Sequence, residues 1–497
     1  MTEEMKEIIN SPYKHIVVES RAGSGKSTTI REYIKAHPQE KILYLVFSAE
    51  MKREAEKNYK GLNNCEIRTI HSLAYRWWVT SNKYTRYLGM DNLAIMKQLR
   101  DTSQLEIRNI LSDCDLEYEH LQKIYFYYNM FLCSDKQDVM DLEVLKDDDS
   151  MFLPYVKRIY EYHRDNYVPV PHNFYLKQFS LTNPKMYGFD TITVDECQDI
   201  NDASLNIITA SNLDKKIIAV GDTAQSIFNF MHCKNALRTL KSKYGFKEYR
   251  LTLSFRVSDK VADMCSRLLK WFYEEDMSFR GNNKTEVKSI DYETIDEQVT
   301  ILSRTRLGAL LEVLTILDKR EDAKFYYYGG LEKYDLDKIE NMMKYDGFIF
   351  IDNQRYHVNT LRKMVKEGLD DPIIKGIISR YDFIKKHKNS LKLLKSTETK
   401  SIKDADFCLN TLHGCKGSTY EVVKFADDIG GVSNLKTRYS ELKEEEGSDY
   451  SMSEVENSLN LLYVGMSRAT KLLDIGKAFV KEDKLGTVDE LDMIMSK

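Results

Sequence analysis

Ser20-Arg-Ala-Gly-Ser-Gly-Lys-Ser27 constrains this chain more than any other stretch. An apolar run at residues 15–19 leads into it, and a helical run at residues 27–36 leads out. A glycine-rich turn between strand and helix points its backbone N–H groups inward, at a helix end whose dipole favours an anion. Such a turn cradles phosphate oxygens. Ala22, Gly23, Ser24, Gly25, Lys26, Ser27 and Thr28 form the candidate nucleotide loop. Lys26 supplies a positive charge to the outer phosphates, and the Ser27 hydroxyl is a candidate Mg²⁺ ligand. The strict pattern G-x-x-x-x-G-K-[ST] is broken at Ser20, where glycine is expected. The bland alternative is a chance glycine-rich turn at a helix start, and the strand–turn–helix context weighs against it.

Residues 41–47, 191–194 and 216–220 are further short apolar runs separated by helical ones. Apolar strands alternating with helices imply a parallel sheet covered on both faces, with ligands at the carboxyl ends of the strands. Two of those ends carry chemistry. Val194 leads into Asp195-Glu-Cys-Gln-Asp199. Asp195 reads as a Mg²⁺ holder, directly or through water, and Glu196 as the base that orients and deprotonates a water. A solvated strand end would look the same, so this pair gains its value from the phosphate loop. Val220 leads into Gly221-Asp-Thr-Ala-Gln-Ser-Ile-Phe-Asn-Phe230. Gln225 is placed to sense a γ-phosphate and its water. Phe228 and Phe230 either stack bases, at about 1–3 kcal/mol each, or pack in a core.

At 497 residues the chain is too long for one core, and roughly 150 residues per domain predicts about three domains. Between residues 81 and 180 the strand signals fade and helical, aromatic segments take over; the aromatic run at residues 123–131 reads as helical core. A second strand-and-helix series begins near residue 250, with strand candidates at 299–303, 324–328, 406–410 and 421–425. Residues 341–403 are Lys-rich and read as mostly helical. Residues 427–458, with Gly430-Gly431 and the acidic run at 444–446, read as a mobile loop.

Lys+Arg 73 against Asp+Glu 77 gives a net charge of −4, which rules out a wholesale neutraliser of phosphates but not a local basic groove. The eight cysteines form no C-x-x-C pair and no zinc spacing, the pattern of reduced cytosolic thiols. No apolar stretch approaches the roughly 20 residues of a membrane span. The N-terminal residues lack the basic start and apolar middle of a secretion signal. The expected location is therefore cytoplasmic, or nuclear in a eukaryotic host.

These motifs, in this order, resemble the superfamily 1 helicases of the UvrD/Rep/PcrA type. The likeness runs over nearly the whole chain. Leu45-Val-Phe-Ser-Ala-Glu50 and Thr69-Ile-His-Ser-Leu-Ala74 are similar to family segments that follow the phosphate loop. Asp195–Asp199 and Gly221–Phe230 resemble the next two. Leu251-Thr-Leu-Ser-Phe-Arg256, Ile301-Leu-Ser-Arg-Thr305, Tyr328-Gly-Gly330, Thr411-Leu-His-Gly-Cys-Lys-Gly417 and Leu462-Tyr-Val-Gly-Met-Ser-Arg-Ala469 resemble the later ones. The resemblance implies that Phe255 stacks on adenine and that Arg256 and Arg468 reach the γ-phosphate. It implies that Phe47, His71, Phe228, Phe230, Thr411 and His413 contact DNA. Arginines at a γ-phosphate answer the charge that phosphoryl transfer spreads there.

The resemblance also implies an α/β fold of two RecA-like P-loop domains with parallel sheets. The first would comprise residues 1–80 and 181–250, with a helical insertion at 81–180. The second would comprise 251–340 and 404–497, with a reduced insertion at 341–403. The implied activity is an ATP- and Mg²⁺-dependent 3′→5′ helicase or translocase on single-stranded DNA and its duplex junctions, driven by opening and closing of the two domains. RNA is the lesser substrate, no membrane is involved, and the chain is expected to be a monomer. Two rivals are a translocase that strips proteins without unwinding and an ATP-gated adaptor that hydrolyses poorly. Met5, Met231 and Thr419 stand where the family has an adenine-reading Gln, a DNA-contacting Arg and a ribose-binding Glu. A stretch at Pro171-His-Asn-Phe-Tyr-Leu-Lys177 resembles the F-box DNA helicase branch.

Overall fold

A computed structural model of the chain describes residues 1–80, 104–165, 170–227, 235–273, 275–351, 354–369, 371–387, 389–443 and 449–478. They pack into two compact units. The first contains Met1–Ser20, Gly25–Leu251 and Met364–Asp371; the second contains Arg21–Ser24, Thr252–Lys363 and Pro372–Lys497.

The first unit is built on a six-stranded sheet. Its strands are β1 (His15–Ser20), β2 (Ile42–Val46), β3 (Cys65–Thr69), β4 (Thr191–Val194), β5 (Lys216–Gly221) and β6 (Lys247–Leu251). They run in the order β3-β2-β4-β5-β1-β6, and every neighbouring pair is parallel. The side-chain alternation of a strand explains why these runs are apolar throughout. Ile16, Val18, Ile42, Tyr44, Val46, Ile218 and Val220 face one core, together with Met5, Ile30, Tyr33 and Ile34 from flanking helices. Val17, Leu43, Leu45, Ile192, Val194, Ile217 and Ala219 face the other.

That second core is filled by a helical layer. The aromatic run lies on the helix Tyr118–Cys133, where Ile124, Tyr127, Tyr128 and Phe131 recur at helical spacing and are all 0 % exposed. Core packing is therefore their role. Pro171–Lys177 opens the helix His172–Ser180. Lys177 is fully buried, and its ammonium donates to the Ser134 and Lys136 carbonyls at 2.8 and 2.6 Å. It also lies 4.2 Å from the centre of the Phe131 ring. This one side chain ties the helix to the loop that ends Tyr118–Cys133.

The second unit holds another six-stranded sheet. It contains β9 (Glu286–Val287), β10 (Val299–Ser303), β11 (Phe325–Tyr327), β14 (Phe407–Thr411), β15 (Tyr420–Phe425) and β16 (Ala469–Asp474). The order is β11-β14-β10-β15-β16-β9, again parallel at every step. β7 (Leu253–Ser258) and β8 (Arg280–Asn283) form a small parallel pair beside it. The α/β expectation thus holds in both units.

Two expectations change. Residues 341–403 are mostly helical but also contain an antiparallel hairpin of β12 (Phe348–Ile351) and β13 (Gln354–His357). The described residues of 427–458 are not simply a loop: Val432–Lys443 is a helix, and another helix, Asp449–Met466, starts within the range. Their acidic, polar surface hid a buried stripe that includes Val432, Leu442, Val455, Leu459 and Leu462. Among the described residues no helix is long and apolar enough to cross a membrane.

Candidate nucleotide and nucleic-acid sites

Parallel strands place their carboxyl ends on one rim of the sheet, and the turns that follow β1, β4 and β5 meet there. In the first unit that rim brings together Lys26, Ser27, Asp195, Glu196 and Gln225. The Lys26 ammonium lies 2.7 Å from Glu196 Oε1. Ser27 Oγ donates to Asp195 Oδ2 at 3.3 Å, and the Glu196 N–H donates to Asp195 Oδ1 at 2.9 Å. Glu196 sits in the left-handed region at φ 50°, a conformation that costs a non-glycine residue about 1–2 kcal/mol. Such strain is tolerated where a side chain must be aimed.

The electrostatics follow from burial and neighbours. Burial alone would pull the Lys26 pKa down, but the carboxylates of Glu196, Asp195 and Asp222 outweigh it and hold the pKa above the ordinary lysine value. Burial and the adjacent Glu196 push the Asp195 pKa up, against the pull of Lys26 and of a hydrogen bond from Tyr44. The cluster is a lysine facing two crowded carboxylates, which a phosphate-bound cation would relieve.

The loop itself departs from the strict pattern without strain. Ser20 closes β1, and its hydroxyl donates to the Gly221 carbonyl of β5 at 2.6 Å. Left-handed backbone is confined here to Gly23 (φ 73°) and Gly25 (φ 90°). Met5 is a core residue: its methyl group lies where a Cβ on Gly25 would come within 2.4 Å. The helix Lys26–Ala36 has no side chain capping its first turn, so its N–H groups remain available to an anion. Ser24 Oγ is buried with no hydrogen-bond partner among the described residues. An open helix start, an orphan hydroxyl and a Ser–Asp donor pair fit a nucleotide phosphate with Mg²⁺.

Gln225 lies in a short 3₁₀ turn after β5 and donates to Asp222 Oδ2 at 2.6 Å. Gln198, to which the sequence assigned no role, joins the two strand ends. It donates to Glu196 Oε2 at 2.5 Å and accepts from the Asp222 N–H at 3.0 Å. Glu19 does similar work, accepting from the Thr223 N–H at 2.9 Å and its hydroxyl at 2.8 Å. Both sit inside or beside motifs, but nothing in residue type alone separates a bridging Gln from a solvated one.

Phe47 and His71 line a cavity of about 70 Å³ on the same rim, with Asn173, Asp195, Asp199 and Asn201 among its walls. His71 Nε2 lies 3.4 Å from Asn173 Oδ1. Burial lowers the His71 pKa to about 4, so the ring is neutral at pH 7. Phe228, Phe230 and Met231 lie outside the described residues.

In the second unit the candidates divide between two rims. Thr411 ends β14 and His413 follows it, at the carboxyl rim. Burial, with the nearby Arg304, lowers the His413 pKa to about 4. Arg468 precedes β16, at the amino rim. It is 1 % exposed and donates to the Val464 carbonyl at 2.8 Å and the Ser418 carbonyl at 3.2 Å. Arg256, on β7, donates to the Ser467 carbonyl at 3.4 Å, while Arg468 donates to the Ser467 hydroxyl at 3.4 Å. The two guanidinium groups therefore converge on Ser467. Phe255, one residue before Arg256, presents a 47 % exposed ring.

The family model for the UvrD/REP helicase N-terminal domain matches residues 1–243. F-box DNA helicase 1 of Gallus gallus is 23 % identical over 95 % of this chain and 48 % of its own length. F-box DNA helicase protein 1 of Schizosaccharomyces pombe is 27 % identical over 54 % of this chain and 33 % of its own length. The chain thus spans about half the length of the first relative and a third of the second. An ATP-dependent helicase/nuclease polypeptide of Oenococcus oeni is 29 % identical over 21 % of this chain and 9 % of its own length. The family match over residues 1–243, which hold five of the first sheet's six strands, together with the helicase relatives, shows a UvrD/Rep/PcrA-type superfamily 1 helicase domain in this chain.

Proposed function

We propose that this chain is a DNA-stimulated ATPase that moves 3′→5′ on single-stranded DNA and separates duplex at junctions. The observation that carries the reading is the cluster on the first sheet's carboxyl rim, with Lys26 at 2.7 Å from Glu196 and Ser27 at 3.3 Å from Asp195. Lys26 binds the outer phosphates, leaving Glu196 when they arrive. Glu196 then takes the proton of the attacking water, and Gln225 holds that water in line. Ser27 and Asp195 would hold Mg²⁺, which supplies charge neutralisation at the phosphate oxygens when bound. Ala22–Thr28 cradle the phosphates and Phe255 stacks on the base. Arg256 and Arg468 answer the γ-phosphate charge.

We take the two parallel-sheet units as RecA-like domains whose ATP-driven closing and opening is the stroke. Phe47, His71, Thr411 and His413 grip the strand, joined by Phe228 and Phe230. The four-segment division into 1–80 with 181–250, 81–180, 251–340 with 404–497, and 341–403 belongs to this reading. The small size of residues 341–403 favours one rival, translocation that strips bound proteins without unwinding.

The test is steady-state ATP hydrolysis titrated with single-stranded DNA and with RNA, followed by unwinding of 3′- and 5′-tailed duplexes. Stimulation by DNA and unwinding of the 3′-tailed substrate are expected. Hydrolysis that neither polymer stimulates, or that survives both Lys26→Ala and Glu196→Gln, defeats the assignment. Streptavidin displacement without strand separation selects the rival.

A further inference from the structure

We propose that Tyr44 and Tyr59 are positioning residues of the nucleotide site, Tyr44 fixing the Asp195 carboxylate for Mg²⁺ and Tyr59 fixing the backbone at Ser27. The inference rests on the reading of Lys26, Ser27, Asp195 and Glu196 as the hydrolytic centre. It concerns two residues in none of the motifs above.

Tyr44 is the middle residue of β2 and is 2 % exposed. Its hydroxyl donates to Asp195 Oδ2 at 2.7 Å. Tyr59 caps the end of the helix Ala49–Asn58, is 5 % exposed, and donates to the Ser27 carbonyl at 2.7 Å. The two rings stack, with centroids 5.2 Å apart and planes 27° apart. One phenol thus holds the metal carboxylate, the other holds the first turn of the helix that supplies the metal hydroxyl, and ring contact couples them.

Three donors converge on Asp195: Tyr44 and Ser27 on Oδ2, and the Glu196 N–H on Oδ1. They come from β2, from the start of a helix and from the next residue, so together they fix the plane of the carboxylate. The Ser27 carbonyl has two lone pairs, so it can serve its helix and accept from Tyr59 at once. A phenylalanine at either position would fill the same core space and remove only the hydroxyl.

The experiment uses the full chain, ATPγS as the probe and Mg²⁺ as the variable, with nucleotide binding read by calorimetry. Tyr44→Phe should raise the Mg²⁺ concentration for half-maximal ATPγS binding about tenfold, the scale of one hydrogen bond to a charged group. Metal-free ATPγS affinity should move far less. Tyr59→Phe should weaken ATPγS binding about threefold with and without Mg²⁺, since it acts on the phosphate-binding turn. In an Asp195→Ala background, Tyr44→Phe should no longer move the Mg²⁺ midpoint. An unmoved midpoint in Tyr44→Phe overturns the proposal, as does an equal loss of metal-free and metal-loaded binding, which is what packing alone would give. A wild-type chain that binds no ATPγS at any Mg²⁺ concentration overturns the underlying ATPase reading instead.

Discussion

Both six-stranded sheets are parallel throughout, yet they use their rims differently. In the first, Lys26, Phe47, His71, Asp195 and Gln225 follow the carboxyl ends of β1, β2, β3, β4 and β5, so hydrolytic and strand-binding candidates share one rim. Asp195 even lines the same cavity as Phe47 and His71. In the second, Thr411 and His413 lie at the carboxyl rim while Arg468 and its companion Arg256 lie near the amino rim of β16. A strand of five residues separates such rims by roughly 15–20 Å. One short segment crosses that distance. It begins at Thr411 and reaches Ser418, whose carbonyl accepts from Arg468. In the proposed reading, the first sheet couples nucleotide and strand by direct contact. In the second, residues 411–418 run from Thr411 at one rim to Ser418 at the other, and in the proposed reading they serve as the relay.

The strongest way to break this comparison is at the first rim. Glu196→Gln should lower DNA-stimulated turnover by about 10²–10⁴ while ATP still binds, as measured by filter binding beside steady-state hydrolysis. Next come the arginines. Arg256→Ala should lower kcat by about 10³ or more with KM changing far less. Arg468→Lys, which keeps a cation beside Val464 and Ser418, should fall between that variant and wild type. If Arg256→Ala instead hydrolyses like wild type, the amino rim carries no chemistry and the contrast collapses.

The two carboxyl rims should look alike when probed with DNA. His71→Ala and His413→Ala should each raise the DNA concentration for half-maximal stimulation about fivefold, the value of roughly one hydrogen bond. Because both rings have pKa values lowered to about 4, they bind as neutral groups, and their contribution should be flat from pH 6 to 8. Their sign for stability is the reverse of a salt-bridged histidine. The folded chain resists protonation that the unfolded chain accepts near pH 6.5, so stability falls as pH drops from there toward 4. His71→Gln should blunt that acid loss in thermal melts.

The smallest effect sharpens the first rim alone. Burial pulls the Lys177 pKa down to about 7. Between there and the ordinary lysine value the unfolded chain holds more protons, so stability should rise with pH across that window. Lys177→Met should flatten the slope. It should also loosen the helix that brings Asn173 to His71, seen as faster amide exchange over His172–Ser180.

Much of this could be read from the residues. The buried strands β1, β2, β4 and β5 announced themselves as apolar runs because both their faces are covered. The phosphate loop and the acidic strand end carried their chemistry in residue type. β3, β6 and β16 did not, since Glu66, Arg250 and Lys471 interrupt them with exposed charge. The helices at Val432–Lys443 and Asp449–Met466 were concealed by acidic surface residues and a glycine pair. Tyr44 was hidden in plain sight. A tyrosine in an apolar run reads as core, and only the fold reveals that its hydroxyl reaches a residue 151 positions away.

Ser20 has a consequence for how pliable the phosphate loop can be. A glycine there would give the loop a third swivel and leave the Gly221 carbonyl to find another donor. The serine instead bolts the loop's entrance to the neighbouring strand, leaving rotation to Gly23 and Gly25. Recognition patterns that insist on glycine at this place would pass over a stiffer but equally well-formed cradle.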